Sequence, residues 1–438
     1  MTEFFTLGFF IVGLFFSLIF GVPLVAALLF GLGVFFAYGL YKKHSFRQLL
    51  LMALNGIKTV KNILITFILI GTLTALWRAG GTIPFIVYHS IPFCHPKIIV
   101  LATFLLCCMI SVLTGTAFGT AATIGVICVT IANSMGVPIL YSGGAVLAGS
   151  YFGDRCSPMS TSALLVSTIT KTDLYRNIGG MIKTAIAPFI LSCLLYGLFG
   201  MGFEGGYDNE PMRVLFRESF SLAPVVLIPA AAIVVLSLCR LNVKIAMSIS
   251  VLCSIVICLT VQKLSIGDIC SIALLGYHPE GAQLGQLLSG GGIFSMAKVF
   301  SIVCISSCYS GIFNGTGLLD GLRGILVNIS KKASPFVAYL ITAILTAMVA
   351  CNQALATMLT GQLCQDIGEP PEKAALHMEN TVIVIAPLIP WSIAGAVALE
   401  SVGAPTSGIL TSFFLYLLPL WMLLVETIKS KKKSETGV

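Results

Sequence analysis

A polar stretch at residues 149–162, GSYFGDRCSPMSTS, interrupts an otherwise apolar part of the sequence. Pro158 lacks a backbone N–H and disfavours helical geometry at Ser157, and Gly153 loosens the preceding turn. We therefore expect residues 153–158 to be unwound at membrane depth. Burial favours the protonated form of a carboxylate and a bound cation favours its charged form, so Asp154 could exchange a proton for Na⁺.

The same stretch has a simpler interpretation. Asp154 and Arg155 could lie at a helix end in the membrane interface, where they would extend towards water and pair with each other. The first interpretation predicts that both side chains face protein or water at depth. The second predicts exposed side chains and a local ion pair.

Two further segments place small polar residues inside apolar runs, SVLTGTAFGTAATIG at 111–125 and AMVACNQALATMLTG at 347–361. A broken helix exposes backbone groups that a cavity or a ligand must satisfy. Hydroxyl, amide and freed carbonyl oxygens suit Na⁺, whereas helix N-termini favour anionic groups. The residues predicted to provide these groups are Gly115, Thr116, Thr120, Asn352, Gln353 and Thr357.

Glu379, followed by Asn380, precedes the apolar run 381–399. It could be a second carboxylate that binds a cation or a proton. It could equally be a first-turn residue that the helix dipole favours. The sequence leaves both readings open.

The elements that must position these residues are transmembrane helices. The sequence is 57% hydrophobic and 10% charged, whereas soluble domains carry roughly 25% charged residues. Unbroken apolar stretches argue against a β-barrel, whose strands alternate. Runs of about 20 apolar residues, each enough to cross a bilayer, occupy residues 4–20, 22–41, 62–77, 98–113, 120–136, 138–152, 181–203, 220–239, 243–262, 298–313, 335–350, 381–399 and 406–427.

The net charge of +8 does not indicate nucleic-acid binding, because the basic residues lie beside helix ends. By the positive-inside rule these regions are cytoplasmic, and so are both termini. We therefore expect a multi-pass protein of the cytoplasmic membrane with external linkers at 204–219 and 263–297. The basic residues are Lys42, Lys43, Arg47, Lys58, Lys61, Arg240, Lys244, Lys331, Lys332, Lys429, Lys431, Lys432 and Lys433.

The chain also contains signs of an internal duplication. Short apolar stretches at 77–94 and 313–330 suggest re-entrant hairpins, the interrupted helices at 111–125 and 347–361 correspond, and SPMSTSA at 157–163 matches IPWSIAG at 389–395. The linker before the first hairpin is basic and the linker before the second is not. We predict an all-α membrane protein of two inverted repeats, residues 1–203 and 220–438, with broken transmembrane helices, which is typical of secondary transporters.

Other chemistries find little support in the sequence. The 14 cysteines and five histidines are dispersed without metal-ligand spacing, so we expect no cofactor and no metal beyond transported Na⁺. A hydrolase reading would pair Asp154 with a second carboxylate in a comparable apolar run. The sequence offers none, so we expect a transporter and not an enzyme.

The motifs GDRCSPMSTS, TGTAFGTAATIGV and APLIPWSIAGA together resemble the NhaC-type sodium/proton antiporter family. The resemblance implies a two-repeat carrier that moves Na⁺ against H⁺ or against an organic ion. This sequence departs from the family pattern at Thr161, where family members frequently have an acidic residue, and at Ser392, where they frequently have an asparagine. The site residues it implies are Asp154, Ser157, Pro158, Ser160, Gly115, Thr116, Thr120, Glu379, Pro390, Trp391 and Ser392.

Two functions follow as expectations. The first is Na⁺/H⁺ antiport, in which Asp154 binds H⁺ and Na⁺ alternately and hydroxyls, with Thr161 among them, complete the cation shell. The second is Na⁺-coupled transport of a small carboxylate or amino acid. The expected partners are these solutes and the lipid bilayer, without nucleic acid, and a homodimer is an assembly that the sequence allows.

Overall fold

The computed structural model is all-helical. It describes residues 2–90, 94–203, 210–239, 241–281, 284–285, 288–318 and 334–435. Within these ranges the β-type pairing is limited to one isolated bridge between Tyr277 and Gly290. The helical prediction is therefore confirmed.

The described residues of the first half form eleven α-helices as far as Met201. A π-helical segment, Ala121–Gly125, joins the seventh to the eighth. The α-helices are α1 (Thr2–Ile19), α2 (Leu24–Tyr41), α3 (Phe46–Thr59), α4 (Lys61–Ala79), α5 (Thr82–Ser90), α6 (Pro96–Thr114), α7 (Ala117–Thr120), α8 (Val126–Ser134), α9 (Ile139–Cys156), α10 (Thr161–Thr170) and α11 (Leu174–Met201).

The second half is also helical in its described parts. Short 3₁₀ turns, such as Ala386–Leu388, lie between several of its helices. The α-helices are α12 (Glu210–Ser219), α13 (Ile228–Leu238), α14 (Val243–Thr260), α15 (Ile266–Leu275), α16 (Ala297–Thr316), α17 (Pro335–Ala350), α18 (Gln353–Cys364), α19 (Pro371–Asn380), α20 (Val382–Ile385), α21 (Ile393–Ser401) and α22 (Phe413–Glu435).

Length and composition make many of these helices able to cross a bilayer. Among the described residues, 5 helices are long and apolar enough, and up to 8 spans result if each bent helix pair counts as one. The chain is therefore a multi-pass membrane protein. The run 381–399, predicted as one span, is divided, because Pro387 and Pro390 interrupt it and the chain bends by 58° before α21.

Several predicted features are only partly tested by the structure or lie outside its described residues. At the first predicted hairpin, α4 and α5 meet at a 61° bend, which a broken span and a re-entrant loop share, so the hairpin stays a prediction. The linker 204–219 is helical over its described part, where α12 runs. The described residues do not include most of the second predicted hairpin at 313–330, nor Arg240, Lys331 and Lys332.

Helices α6 and α9 pack at short distance because α9 presents glycines to α6. A Cβ on Gly149 would lie 2.7 Å from the Phe104 carbonyl oxygen, and one on Gly153 would overlap the backbone of Ser111 and Val112. Small residues spaced in this way let transmembrane helices approach closely. The prediction that Gly153 loosens the chain was wrong, because α9 remains helical through Cys156 and unwinds only at Ser157.

This packing leads to a stability prediction. We expect Gly153→Ala to lower the free energy of unfolding by about 1–3 kcal/mol, because its methyl group would force α6 and α9 apart. Gly197→Ala in α11 is the matched control, since a Cβ there has no neighbour within 4 Å. Thermal unfolding in detergent measures both. Equal melting temperatures for the two variants would contradict the close-packing role of Gly153.

Candidate ion-binding site

Asp154 lies in the last turn of α9 with 5% of its surface exposed. Its Oδ2 accepts a hydrogen bond of 2.8 Å from the Ser162 hydroxyl and one of 3.2 Å from the Gln353 amide. Its Oδ1 accepts a longer bond of 3.4 Å from the Ser160 hydroxyl. The carboxylate therefore joins α9 and α10 of the first half to α18 of the second.

The unwound segment after α9 is held in place by its own serines. The Ser157 hydroxyl donates to the Val112 carbonyl of α6 at 2.6 Å and accepts from the Met159 N–H at 3.1 Å. Ser160 is the N-cap of α10 and accepts from the backbone N–H of Ser162 and Ala163. Ser157 therefore anchors the segment to α6, whereas Ser160 both caps α10 and contacts Asp154.

A cavity of about 460 Å³ lies beside this carboxylate. Gln353 is one of its wall residues and also donates to Asp154, so one side chain connects the cavity to the buried acid. Among the predicted site residues, the walls include Gly115, Thr116, Thr161, Asn352 and Gln353. The other wall residues are Thr66, Thr114, Phe118, Gly119, Met159, Leu241, Asn242, Lys244, Ala354, Ile393 and Ala394.

The two predicted helix breaks have the same backbone geometry. Gly115 (φ 65°, ψ 25°) and Cys351 (φ 53°, ψ 11°) end their helices in the left-handed conformation. Thr116 (φ −147°, ψ 127°) and Asn352 (φ −147°, ψ 130°) follow in extended conformation, and each caps the next helix with its side chain. The breaks that small polar residues predicted are thus present in the structure.

Five helix N-termini border the cavity. Their N-cap residues are Thr116, Ser160, Asn242, Asn352 and Ser392, and first-turn residues of each helix line the wall. The N-terminus of a helix carries partial positive charge and free N–H groups. The ammonium-bearing side chain of Lys244 lies in the same wall. The cavity therefore favours anionic groups, while Asp154 behind Gln353 offers a place for a cation.

Three predicted residues lie near the site without lining the cavity. The Thr120 hydroxyl donates to the Thr116 carbonyl at 2.9 Å, and the Thr357 hydroxyl donates to the Gln353 carbonyl at 2.8 Å. Ser392 accepts from the Ala394 N–H at 3.3 Å. In this conformation these hydroxyls stabilise the broken helices and do not face the cavity.

Glu379 and Asn380, at the end of α19, lie next to Arg155 and away from the cavity. The Arg155 Nε–H donates to the Glu379 carbonyl at 3.1 Å, and Nη2 donates to the Asn380 side-chain oxygen at 2.5 Å and to Thr184 at 2.8 Å. Arg155 also donates to the Met181 carbonyl. Arg155 is 0% exposed, so the interpretation of Asp154 and Arg155 as an interfacial ion pair does not hold.

Sequence reasoning missed two contributors to this region and the partners of a third. Ser162 makes the shortest side-chain contact to Asp154, and its position two residues after Ser160 was the available signal. Lys244 was read only as a cytoplasmic basic residue beside a helix end, and no sequence signal placed it near 115 or 352. Arg155 was expected to face protein, but its partners on α11 and α19 could not be read from its neighbours.

The sequence matches the family model described as "Na+/H+ antiporter family" over residues 2–173 and 149–425. Together these matches cover most of the chain.

Three proteins similar to this chain are named as antiporters. The chain is 25% identical to the Na⁺/H⁺ antiporter NhaC of Alkalihalophilus pseudofirmus, over 92% of this chain and 89% of the relative. It is 26% identical to a malate-2H⁺/Na⁺-lactate antiporter of Bacillus subtilis (93% and 88%). It is 27% identical to the arginine/ornithine antiporter ArcD of Halobacterium salinarum (79% and 74%).

Proposed function

The chain belongs to the Na⁺/H⁺ antiporter family, and from this premise we propose that it is a secondary transporter of NhaC type that exchanges Na⁺ for H⁺ by alternating access. It acts as a carrier in the cell membrane and not as an enzyme, and its ions are cargo, so no resident cofactor is needed. Both termini are proposed to be cytoplasmic, and a homodimer stays a prediction from the sequence.

The observation that supports Na⁺ binding best is the environment of Asp154. This buried carboxylate receives three side-chain hydrogen bonds, one of them from a wall residue of the cavity. Na⁺ prefers oxygen ligands, and a carboxylate with neighbouring hydroxyls provides them. We assign Asp154 as the charged ligand, with Ser160 and Ser162 nearest to it and Thr161 at the cavity.

Two inverted repeats, residues 1–203 and 220–438 on either side of the linker 204–219, are part of the same proposal. Its support is the matched geometry of the helix breaks at Gly115 and Cys351, and of the N-caps Ser160 (φ −72°, ψ 130°) and Ser392 (φ −78°, ψ 134°). Asp154 and Gln353 come from different halves and meet at one site. Rocking of one half against the other would open this site to each side of the membrane in turn.

The proposed exchange is tested in lipid vesicles that contain the purified protein and an internal pH dye. Addition of external Na⁺ is expected to make the interior alkaline, because each entering Na⁺ drives H⁺ out. Choline in place of Na⁺ and protein-free vesicles are the controls. A Na⁺ response no larger than that of protein-free vesicles would refute the exchange.

A second candidate function is Na⁺-coupled transport of a small organic anion or amino acid. The observation that favours it is the cavity of about 460 Å³ with five helix N-termini in its walls, one of which carries Lys244. Such a cavity is larger than Na⁺ requires and has the polarity to bind a carboxylate.

Thermal unfolding with malate, lactate, arginine or ornithine tests this candidate. A ligand at 100 times its Kd should stabilise the native protein by about 2.7 kcal/mol, and that stabilisation should depend on Na⁺. Lys244→Gln is expected to weaken it for an anionic ligand without changing the response to Na⁺ alone. The candidate is rejected if none of the four solutes raises the melting temperature.

A further inference from the structure

Glu379 is a buried acid that the Na⁺ site described above does not use. Its side chain is 0% exposed, and among the described residues neither carboxyl oxygen has a hydrogen-bond partner. Arg155 donates to the backbone carbonyl of Glu379 and not to its carboxyl group. A carboxyl group in such surroundings has no donor to stabilise its anion. Burial without such a donor favours the neutral acid over its anion.

Few titratable groups face Glu379. Arg155 and Asp154, both in the last turn of α9, act on its carboxyl group by their charge, and the Cys156 thiol of the same turn lies nearby. His377, on the same helix as Glu379, instead packs against aromatic rings of α17. Arg155 attracts a negative charge on Glu379, and a charged Asp154 repels it.

The sum of these charges changes when Na⁺ binds. With Asp154 ionised and Glu379 protonated, the group of Asp154, Arg155 and Glu379 is neutral. Na⁺ bound to Asp154 would give the group one positive charge, which is costly in a buried site. Loss of the Glu379 proton restores neutrality, and the cation has by then removed the repulsion from Asp154.

We propose that the exchanged proton is carried by Glu379, while Asp154 carries Na⁺. This inference rests on the proposed Na⁺/H⁺ exchange and differs from the simpler expectation that Asp154 carries both ions in turn. When Na⁺ binds, the O–H bond of Glu379 breaks, the electron pair stays on the carboxylate, and the proton leaves to water. Asp154 binds Na⁺ when Glu379 has lost its proton, and Glu379 regains the proton when Na⁺ leaves. The charge of the buried group therefore stays the same.

The experiment measures the Na⁺ affinity of the purified full-length protein by calorimetry at several pH values, with choline keeping the ionic strength constant. Release of one proton per bound Na⁺ makes the native affinity rise about tenfold per pH unit. Glu379→Gln cannot release this proton, so its Na⁺ affinity should be independent of pH. Glu372→Gln is the control, because Glu372 is exposed on the same helix and its ion pair among the described residues is with exposed Arg176.

The outcomes separate this inference from the proposed function. A pH-independent affinity in Glu379→Gln, with the native slope kept in Glu372→Gln, supports the inference. If the Na⁺ affinity of Glu379→Gln depends on pH as steeply as that of the native protein, the inference is wrong and Asp154 is the proton carrier. Na⁺ binding of native strength in Asp154→Asn would instead contradict the proposed Na⁺ site itself.

A second measurement applies if Glu379→Gln does not fold. Infrared difference spectra record the loss of a protonated-carboxyl C=O band when Na⁺ is added to the native protein. Glu379→Asp keeps a titratable group but should shift that band, whereas Glu372→Asp should leave it in place. A band unchanged by Glu379→Asp overturns the proposal.

Discussion

Asp154→Asn is expected to abolish Na⁺-driven proton movement in reconstituted vesicles. The amide keeps the size of the side chain and an acceptor for Ser162, but it removes the negative charge opposite the cation. Loss of one partner from a buried charge pair costs about 3–5 kcal/mol, which corresponds to a fall in Na⁺ affinity of roughly 10²- to 10⁴-fold. Initial rates of dye response over a range of Na⁺ concentrations measure the effect.

Glu400→Gln is the matched control for this variant. Glu400 is an exposed acid in the last turn of α21, so its neutralisation should leave the rate unchanged. The melting temperature of Asp154→Asn without Na⁺ shows whether the variant folds. A folded Asp154→Asn protein with native exchange would remove Asp154 from the Na⁺ site.

Arg155→Ala is expected to have the largest effect on stability. The guanidinium connects α9 to α11 and α19 through donations to Met181, Thr184, Glu379 and Asn380. Its removal takes away the donations that hold the three helices together and opens a void, and we expect the free energy of unfolding to fall by about 3–5 kcal/mol. Unfolding in detergent, followed by heat or denaturant, measures the loss.

Arg176→Ala provides the comparison for Arg155→Ala. Arg176 on α11 pairs with Glu372 at 3.3 Å, but the two side chains are 75% and 49% exposed, and such exposed pairs contribute about 0–1 kcal/mol. Arg155→Lys should recover part of the lost stability, because an ammonium group reaches fewer of the four acceptors. If Arg155→Ala is as stable as Arg176→Ala, the buried hydrogen bonds contribute less than proposed.

Local composition was sufficient to predict several parts of the site. Asp154 was identifiable because an acid within an apolar run must face protein or water. The breaks at Gly115 and Asn352 were identifiable because small polar residues interrupt apolar helices, and family motifs pointed to Ser160. The rule that located these breaks failed at Gly153. A glycine in a polar stretch suggests a turn, but Gly153 lies within a helix and permits close contact with α6.

The sequence by itself determined that the chain is a helical membrane protein, where its helices break, and which family it belongs to. These properties depend on hydrophobicity, proline and glycine positions and motif order, all of which are local. The tertiary structure alone decided that Gln353 reaches Asp154, that Lys244 lies in the cavity wall, and that Arg155 holds α19 beside Glu379. The two hydrogen bonds join residues 199 and 224 positions apart. Such contacts depend on how helices pack, which no local pattern records.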